Sequence, residues 1–120
     1  MGLLADPDYY METRFSIQET MKESIGYLSQ ISKEFNTVFG RDYRDLLVEE
    51  YQLKDADKVI VAMGSVCGTI KEVVDEQRAR GKKAGLLRII SYRPFPYARV
   101  YAALKDVPRV AVLDKAVSLG

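Results

Sequence analysis

Apolar residues recur at three- and four-residue spacing over residues 17–38: Ile17, Met21, Ile25, Leu28, Ile31, Phe35 and Val38. That period puts them on one face of a helix of about six turns. Two start signals precede it. Asp6-Pro7 offers an N-cap with proline at the first helical position. Ser16 with Glu19 three residues on is a capping box. The pattern does not choose between them. Gly40 fits the C-terminal cap. Residues 1–16 read as a lead-in or interdomain linker and 17–120 as one domain.

Beyond the polar turn at residues 41–45 the period shortens. Leu47, Glu49, Tyr51 and Leu53 alternate with Val48 and Glu50, a short strand near 47–52. Too few residues separate it from the next strand for a parallel crossover. It is therefore antiparallel at an edge, or pairs elsewhere. Lys58 to Met63 is a nearly continuous apolar run, as expected of a strand covered on both faces. Val66 to Arg80 is helical, with Val66, Ile70, Val73 and Val74 inward and Gly81 ending it. Gly85 to Ser91 is a second buried strand. Pro94 and Pro96 break the chain, and Tyr97 to Lys105 is a helix presenting Val100 and Leu104. Arg109 to Leu113 is the third strand of the series. Strands recurring about every 25 residues fit right-handed βαβ units. The expected fold is α/β, a three-layer αβα sandwich with a mainly parallel sheet. A doubly wound domain places another helix after the third strand; either the chain is a fragment or residues 17–38 serve as that helix.

Composition narrows the chemistry. The 120 residues carry 18 Lys and Arg against 17 Asp and Glu, and 48% are apolar. A net charge of +1 gives no electrostatic case for nucleic acid or an anionic membrane. No apolar run approaches the roughly 18 residues that would span a bilayer, and Gly2 to Ala5 is too short for a signal sequence. A cytoplasmic protein is expected. There is no histidine, which removes Ser-His-Asp and Cys-His pairs and histidine metal ligands. With Cys67 the sole cysteine, neither an internal disulfide nor a Cys-ligated cluster is available.

Three segments can carry chemistry, each at the carboxyl end of a strand, where open α/β sheets bind ligands. Gly64-Ser65-Val66-Cys67-Gly68-Thr69 follows a strand and opens a helix, a place that favours an anion. Its spacing is neither the dinucleotide fingerprint nor a P-loop. The preferred reading is a tight turn with Ser65 as helix cap and Cys67 as a small packed residue. Arg93, in the rigid Arg93-Pro94-Phe95-Pro96 turn, suits a carboxylate or phosphate. The structural alternative, Phe95 in the core and Arg93 in an ion pair, is preferred. Asp114-Lys115 follows the last strand, and Asp114 is the candidate partner for Arg93. The candidate anion site is thus Gly64, Ser65, Gly68, Thr69 and Arg93, with no catalytic residue and no metal ligand. Glu72 and Glu76 with Arg80 are spaced for helix-surface ion pairs.

A series of segments resembles one family in order and at compatible spacing, over nearly the whole chain. They are Tyr10-Met11-Glu12-Thr13-Arg14-Phe15, Val48-Glu49-Glu50-Tyr51, residues 56–65 ending in Met63-Gly64-Ser65, Lys71 to Asp75, Gly85-Leu86-Leu87-Arg88 leading to Tyr92-Arg93-Pro94-Phe95-Pro96, and Val110 to Lys115. The family is the α subunit of pyruvate:ferredoxin oxidoreductase (pyruvate synthase), in the domain after the pyrimidine-binding domain. The Arg-Pro-Phe-Pro form resembles the pyruvate branch. The segments after Pro96 and after Asp114 depart from the family's pattern.

The resemblance implies a fold like the C-terminal domain of transketolase. It implies a parent complex that converts pyruvate and coenzyme A to acetyl-CoA and CO2 with thiamine pyrophosphate, Mg2+ and iron–sulfur clusters, reducing ferredoxin. Those cofactors are expected on other parts of the complex and none on this domain. The implied partners are the β, γ and δ subunits and ferredoxin. This domain is expected to be inactive by itself and to serve structure and assembly. The alternative is a ligand-binding or regulatory module that takes an anion such as a coenzyme A phosphate. Leu3, Leu4, Tyr9, Tyr10 and Met11 crowd the lead-in and are candidates for self-association or for contact with a neighbour.

Overall fold

Of the two helix starts, the first is used. In the computed structural model, which describes residues 6–41, 43 and 46–116, α1 runs from Pro7 to Phe39 with Asp6 at its N-cap. Proline at the first position costs no hydrogen bond. The box at Ser16 and Glu19 caps nothing, because the Ser16 carbonyl already lies inside the helix and accepts from Thr20 Oγ1 at 3.0 Å. At the far end Gly40 takes φ 62° and its N–H donates to Asn36 O at 2.8 Å. That left-handed turn is one glycine adopts readily.

The chain divides into two compact units, Met1–Arg44 and Asp45–Gly120. In the first unit, Met21, Ser24, Ile25, Leu28 and Phe35 are half-buried and Ser32 is buried, whereas Ile17, Ile31 and Val38 are exposed. The expected stripe therefore needs correction. Ile31 and Val38 leave the inner face because a seven-residue row drifts about 20° per heptad around a 3.6-residue helix. Phe35 stacks on Phe39 at 4.5 Å and on Tyr43 at 5.5 Å. Tyr9, Tyr10 and Met11 are 67, 57 and 77% exposed, while Leu3 and Leu4 lie outside the described residues.

The second unit holds β1 (Val48–Tyr51), β2 (Lys58–Met63), α2 (Val66–Ala79), β3 (Ala84–Ile89), α3 (Tyr97–Leu104) and β4 (Arg109–Val112). The sheet order is β1-β3-β2-β4. β2 pairs parallel with β3 and with β4, and β1 is antiparallel to β3 at the edge with Val48 opposite Ile89. The parallel strands and the antiparallel edge are as the sequence predicts.

Alternation along the strands sends side chains to two cores. Val48, Val59, Val61, Leu87 and Ile89 point to one face, where Phe95, Val100, Ala103 and Leu104 cover them. Ala62 and Leu86 point to the other and meet Cys67, Ile70 and Val74 of α2. The helices thus flank the sheet, giving the three-layer αβα sandwich. On α2 one expected inward residue is corrected, since Val73 is 46% exposed; Cys67 is buried, as expected of a small packed residue. The buried face of α2 is centred between Ile70 and Cys67, which leaves Val73 on its flank.

One glycine is required by a close approach. A Cβ on Gly85 would lie 2.9 Å from Gln52 O and 3.1 Å from the Ala56 side chain. Its lack of a side chain lets the chain after β1 fold tightly over β3. β4 forms the other edge, and all four of its residues are exposed.

Candidate functional site

Parallel pairing brings the carboxyl ends of β2, β3 and β4 to one edge of the sheet, with β2 in the middle. The chain leaves β2 towards α2 on one face and leaves β3 towards α3 on the other. Adjacent strands whose connections go to opposite faces make a topological switch point, with a crevice between the loops. The turn from Gly64 to Thr69 follows β2, Arg93 follows β3, and Asp114-Lys115 follows β4, so the topology collects all three segments at this end.

The turn is built by Gly64, which adopts φ 76°, a conformation that side chains disfavour. Gly64, Ser65, Gly68 and Thr69 are exposed. Ser65 is itself in the right-handed helical conformation and makes no side-chain cap bond. The capping role expected for it is therefore corrected: a cap residue needs an extended backbone for its oxygen to reach the next turn. The N–H of Cys67 donates to Gly64 O at 3.4 Å and that of Gly68 to Ser65 O at 3.1 Å. Two backbone amides at the helix start are thus engaged inside the turn rather than free for an anion.

Arg93 is exposed and forms no ion pair among the described residues. The structural pairing expected for it is absent there, and Asp114 is exposed. Phe95 does pack on the core as expected, and its ring contacts Tyr92 at 6.2 Å and Tyr97 at 4.7 Å, both edge-on.

Cys67 is 1% exposed, and burial, the largest influence on it, pushes its thiol pKa up. That is the opposite of an activated nucleophile.

A second charged group near the same edge escapes sequence reading. Glu49 of β1 and Arg88 of β3 are register partners, and Lys71 reaches them from α2. Lys71 Nζ lies 2.5 Å from Glu49 Oε1, and an Arg88 nitrogen lies 3.3 Å from Glu49 Oε2. The Lys71 hydrogen bond holds the Glu49 pKa down against burial, which raises it; the charges of Lys71 and Arg88 add to the lowering. Lys71 also sits 5.0 Å from the centre of the Tyr51 ring, whose hydroxyl donates to Asp75 at 2.8 Å. The available signal was Arg88, a lone charge in a strand otherwise buried.

The donor set does not fit a thiamine–metal or iron–sulfur site. One buried cysteine and no histidine are present, and no group of three metal-ligating side chains occurs among the described residues. No helix among the described residues is long and apolar enough to cross a membrane.

A doubly wound α/β domain with loops gathered at the strand ends is the class that this architecture defines. The chain belongs to the pyruvate:ferredoxin oxidoreductase core domain II family, which matches residues 56–120. It is 51% identical over 99% of its length to pyruvate synthase subunit PorA of Methanocaldococcus jannaschii. It is 45% identical over 98% of its length to the subunit of the same name in Methanothermobacter thermautotrophicus. Ketoisovalerate oxidoreductase subunit VorA of Pyrococcus horikoshii is 38% identical over the whole chain. The chain spans 31, 30 and 30% of the length of these three proteins.

Proposed function

We propose that this chain is a structural and assembly domain in the alpha subunit of a pyruvate:ferredoxin oxidoreductase. That complex converts pyruvate, coenzyme A and oxidised ferredoxin to acetyl-CoA, CO2 and reduced ferredoxin. The observation that carries the reading is the 45–51% identity, over nearly the whole chain, to two subunits named pyruvate synthase. In this reading thiamine pyrophosphate, Mg2+ and the iron–sulfur clusters are held elsewhere in the complex. The domain's neighbours are the β, γ and δ subunits, ferredoxin reaches it through the complex, and the setting is cytoplasmic. The buried thiol and the lack of histidine support a domain that holds no reacting group.

Two measurements test this. The purified chain, mixed with pyruvate, coenzyme A, thiamine pyrophosphate and an electron acceptor, is expected to give no acetyl-CoA above background. In the parent complex, Gly85→Ala is expected to reduce the yield of assembled enzyme more than its activity per assembled molecule. Turnover by the isolated chain would refute the reading, as would normal assembly with lost activity.

A second reading rests on the exposed turn at the switch point. Gly64, Ser65, Gly68 and Thr69 after β2, with Arg93 after the neighbouring β3, are the candidate residues for an anion such as a coenzyme A phosphate. Titration calorimetry with coenzyme A, thiamine pyrophosphate and inorganic phosphate, on the chain and on Arg93→Ala, tests it. Heat that disappears in the variant supports the site; no heat with any of the three removes it.

A further inference from the structure

The loop after β3 and the helix that follows it carry aromatic side chains that the fold leaves unused. Tyr92, Tyr97 and Tyr101 are 61, 77 and 72% exposed. Tyr97 and Tyr101 stand four residues apart on α3, so they share one face of that helix. Tyr92 and Tyr97 are not loose on the surface. Both rings rest edge-on against Phe95, at 6.2 and 4.7 Å, and Phe95 is itself packed on the core of the sheet. The loop is tied further by Ser91 Oγ, which donates to Pro94 O at 2.9 Å. Rings held in place before a partner arrives lose little freedom on binding.

Arg93 adds charge to this segment. It is exposed and forms no ion pair among the described residues, whereas Arg88 and Arg99, the basic residues on either side of it in sequence, meet Glu49 and Glu50. No aspartate or glutamate occurs between Glu76 and Asp106, so the segment offers Arg93 no acidic neighbour of its own. Tyrosine and arginine are enriched where proteins touch, above all at the positions that carry the binding energy. Their mixture of ring, hydroxyl and cation suits contact between domains of one subunit, which is more polar than an obligate interface.

The relatives show where such a partner is available. The chain covers 30 and 31% of two pyruvate synthase subunits that it matches over almost all of its own length. In such a subunit the remaining length is tethered to this domain. A short flexible tether presents its other end at a millimolar effective concentration, which favours that neighbour over a free second copy. We propose that the Tyr92, Arg93, Tyr97 and Tyr101 surface docks on an acidic surface elsewhere in the parent alpha subunit, outside these 120 residues. The three rings exclude water from the contact, and Arg93 pairs with a carboxylate there. This docking rests on the reading of the chain as an assembly domain and assigns that role to one face.

Photo-cross-linking in the purified, assembled oxidoreductase tests it, with Tyr97→benzoylphenylalanine and, separately, Tyr101→benzoylphenylalanine in the full-length alpha subunit. After illumination, mass spectrometry is expected to join both positions to a peptide of the alpha subunit that lies outside this chain and contains aspartate or glutamate. The cross-linked subunit is expected to keep its single-chain mass. Arg93→Glu is expected to lower the yield of assembled enzyme about tenfold, and changing the acidic residue of that peptide to arginine recovers most of the loss. Cross-links to another subunit, to a second copy or to residues within this chain overturn the docking, and so does the absence of any cross-link. Pyruvate-dependent reduction of ferredoxin by the unsubstituted complex tests the assembly reading separately. An active complex with the surface joined elsewhere defeats only the docking, and an assembled complex without that activity defeats the reading beneath it.

Discussion

The two faces of the sheet are covered in different ways. On one, α2 contributes three buried residues, Cys67, Ile70 and Val74, and is tied down by polar contacts. Arg78 donates to Ala84 O and to Gln52 O and pairs with Asp55, joining α2 to the start and middle of the loop between β1 and β2 and to the start of β3. Lys71 and Asp75 fasten the same helix to β1 through Glu49 and Tyr51. On the other face, α3 is two turns long and has no fully buried residue, and its outer side carries bare tyrosines. A short helix with few anchors supplies little to stability by itself. The α2 side is where the domain is held together, and the α3 side is where it presents itself.

Mutations on the two sides should therefore separate stability from association. The largest loss is expected at the sheet's centre: Leu86→Ala, at a side chain with no accessible surface, costs about 3 kcal/mol or more in denaturant unfolding. Gly85→Ala follows at about 2 kcal/mol, because its new methyl meets backbone rather than a side chain that can turn away. An unchanged midpoint for Gly85→Ala would show that the loop after β1 yields freely.

Arg78→Met keeps the apolar stem and removes the ties, and is expected to cost about 1–2 kcal/mol, since two backbone carbonyls lose a charged donor. Leu104→Ala, on the thinly anchored α3, is expected to cost less than Leu86→Ala. A larger loss there would reverse the comparison.

Glu49 sharpens the comparison through pH. Its folded pKa is lowered, so the stability it contributes is present above the unfolded carboxylate value of about 4.3. That stability is lost as pH falls through the lower folded value. Glu49→Gln should remove about 1 kcal/mol at neutral pH, allowing for solvent screening at this half-exposed site. It should also flatten the acid limb of the stability curve. Smallest of all is the effect of Tyr97→Ala on folding, expected to be about 0.5 kcal/mol because only its edge-on contact with Phe95 is lost. Cys67 adds a chemical check on the α2 side: a thiol reagent should label it only at the rate at which the domain opens.

Much of the second unit was legible along the chain. The apolar runs at 58–63 and 85–91 became the two central strands, because a strand covered on both faces has no polar position to spare. The shortness of the link after Tyr51 excluded a parallel crossover and left an antiparallel edge as one of two alternatives, the one found. Less was legible where a property depends on distant partners. Val73 is exposed rather than inward because helix orientation is set by the sheet beneath and not by the helix's own pattern. Ser65 has the residue type of a cap but not its backbone conformation.

Composition alone removed histidine and cysteine-pair chemistry, and residue order alone carried the family resemblance. Tertiary structure decided which charges meet. Glu49, Lys71 and Arg88 come from three elements far apart in sequence, and only strand register and helix docking bring them within ion-pair distance. It likewise decided that Arg93 and the tyrosines of α3 remain uncovered. Local periodicity reports which face of an element is apolar; whether that face is covered depends on what packs there, and that is a property of the assembled fold.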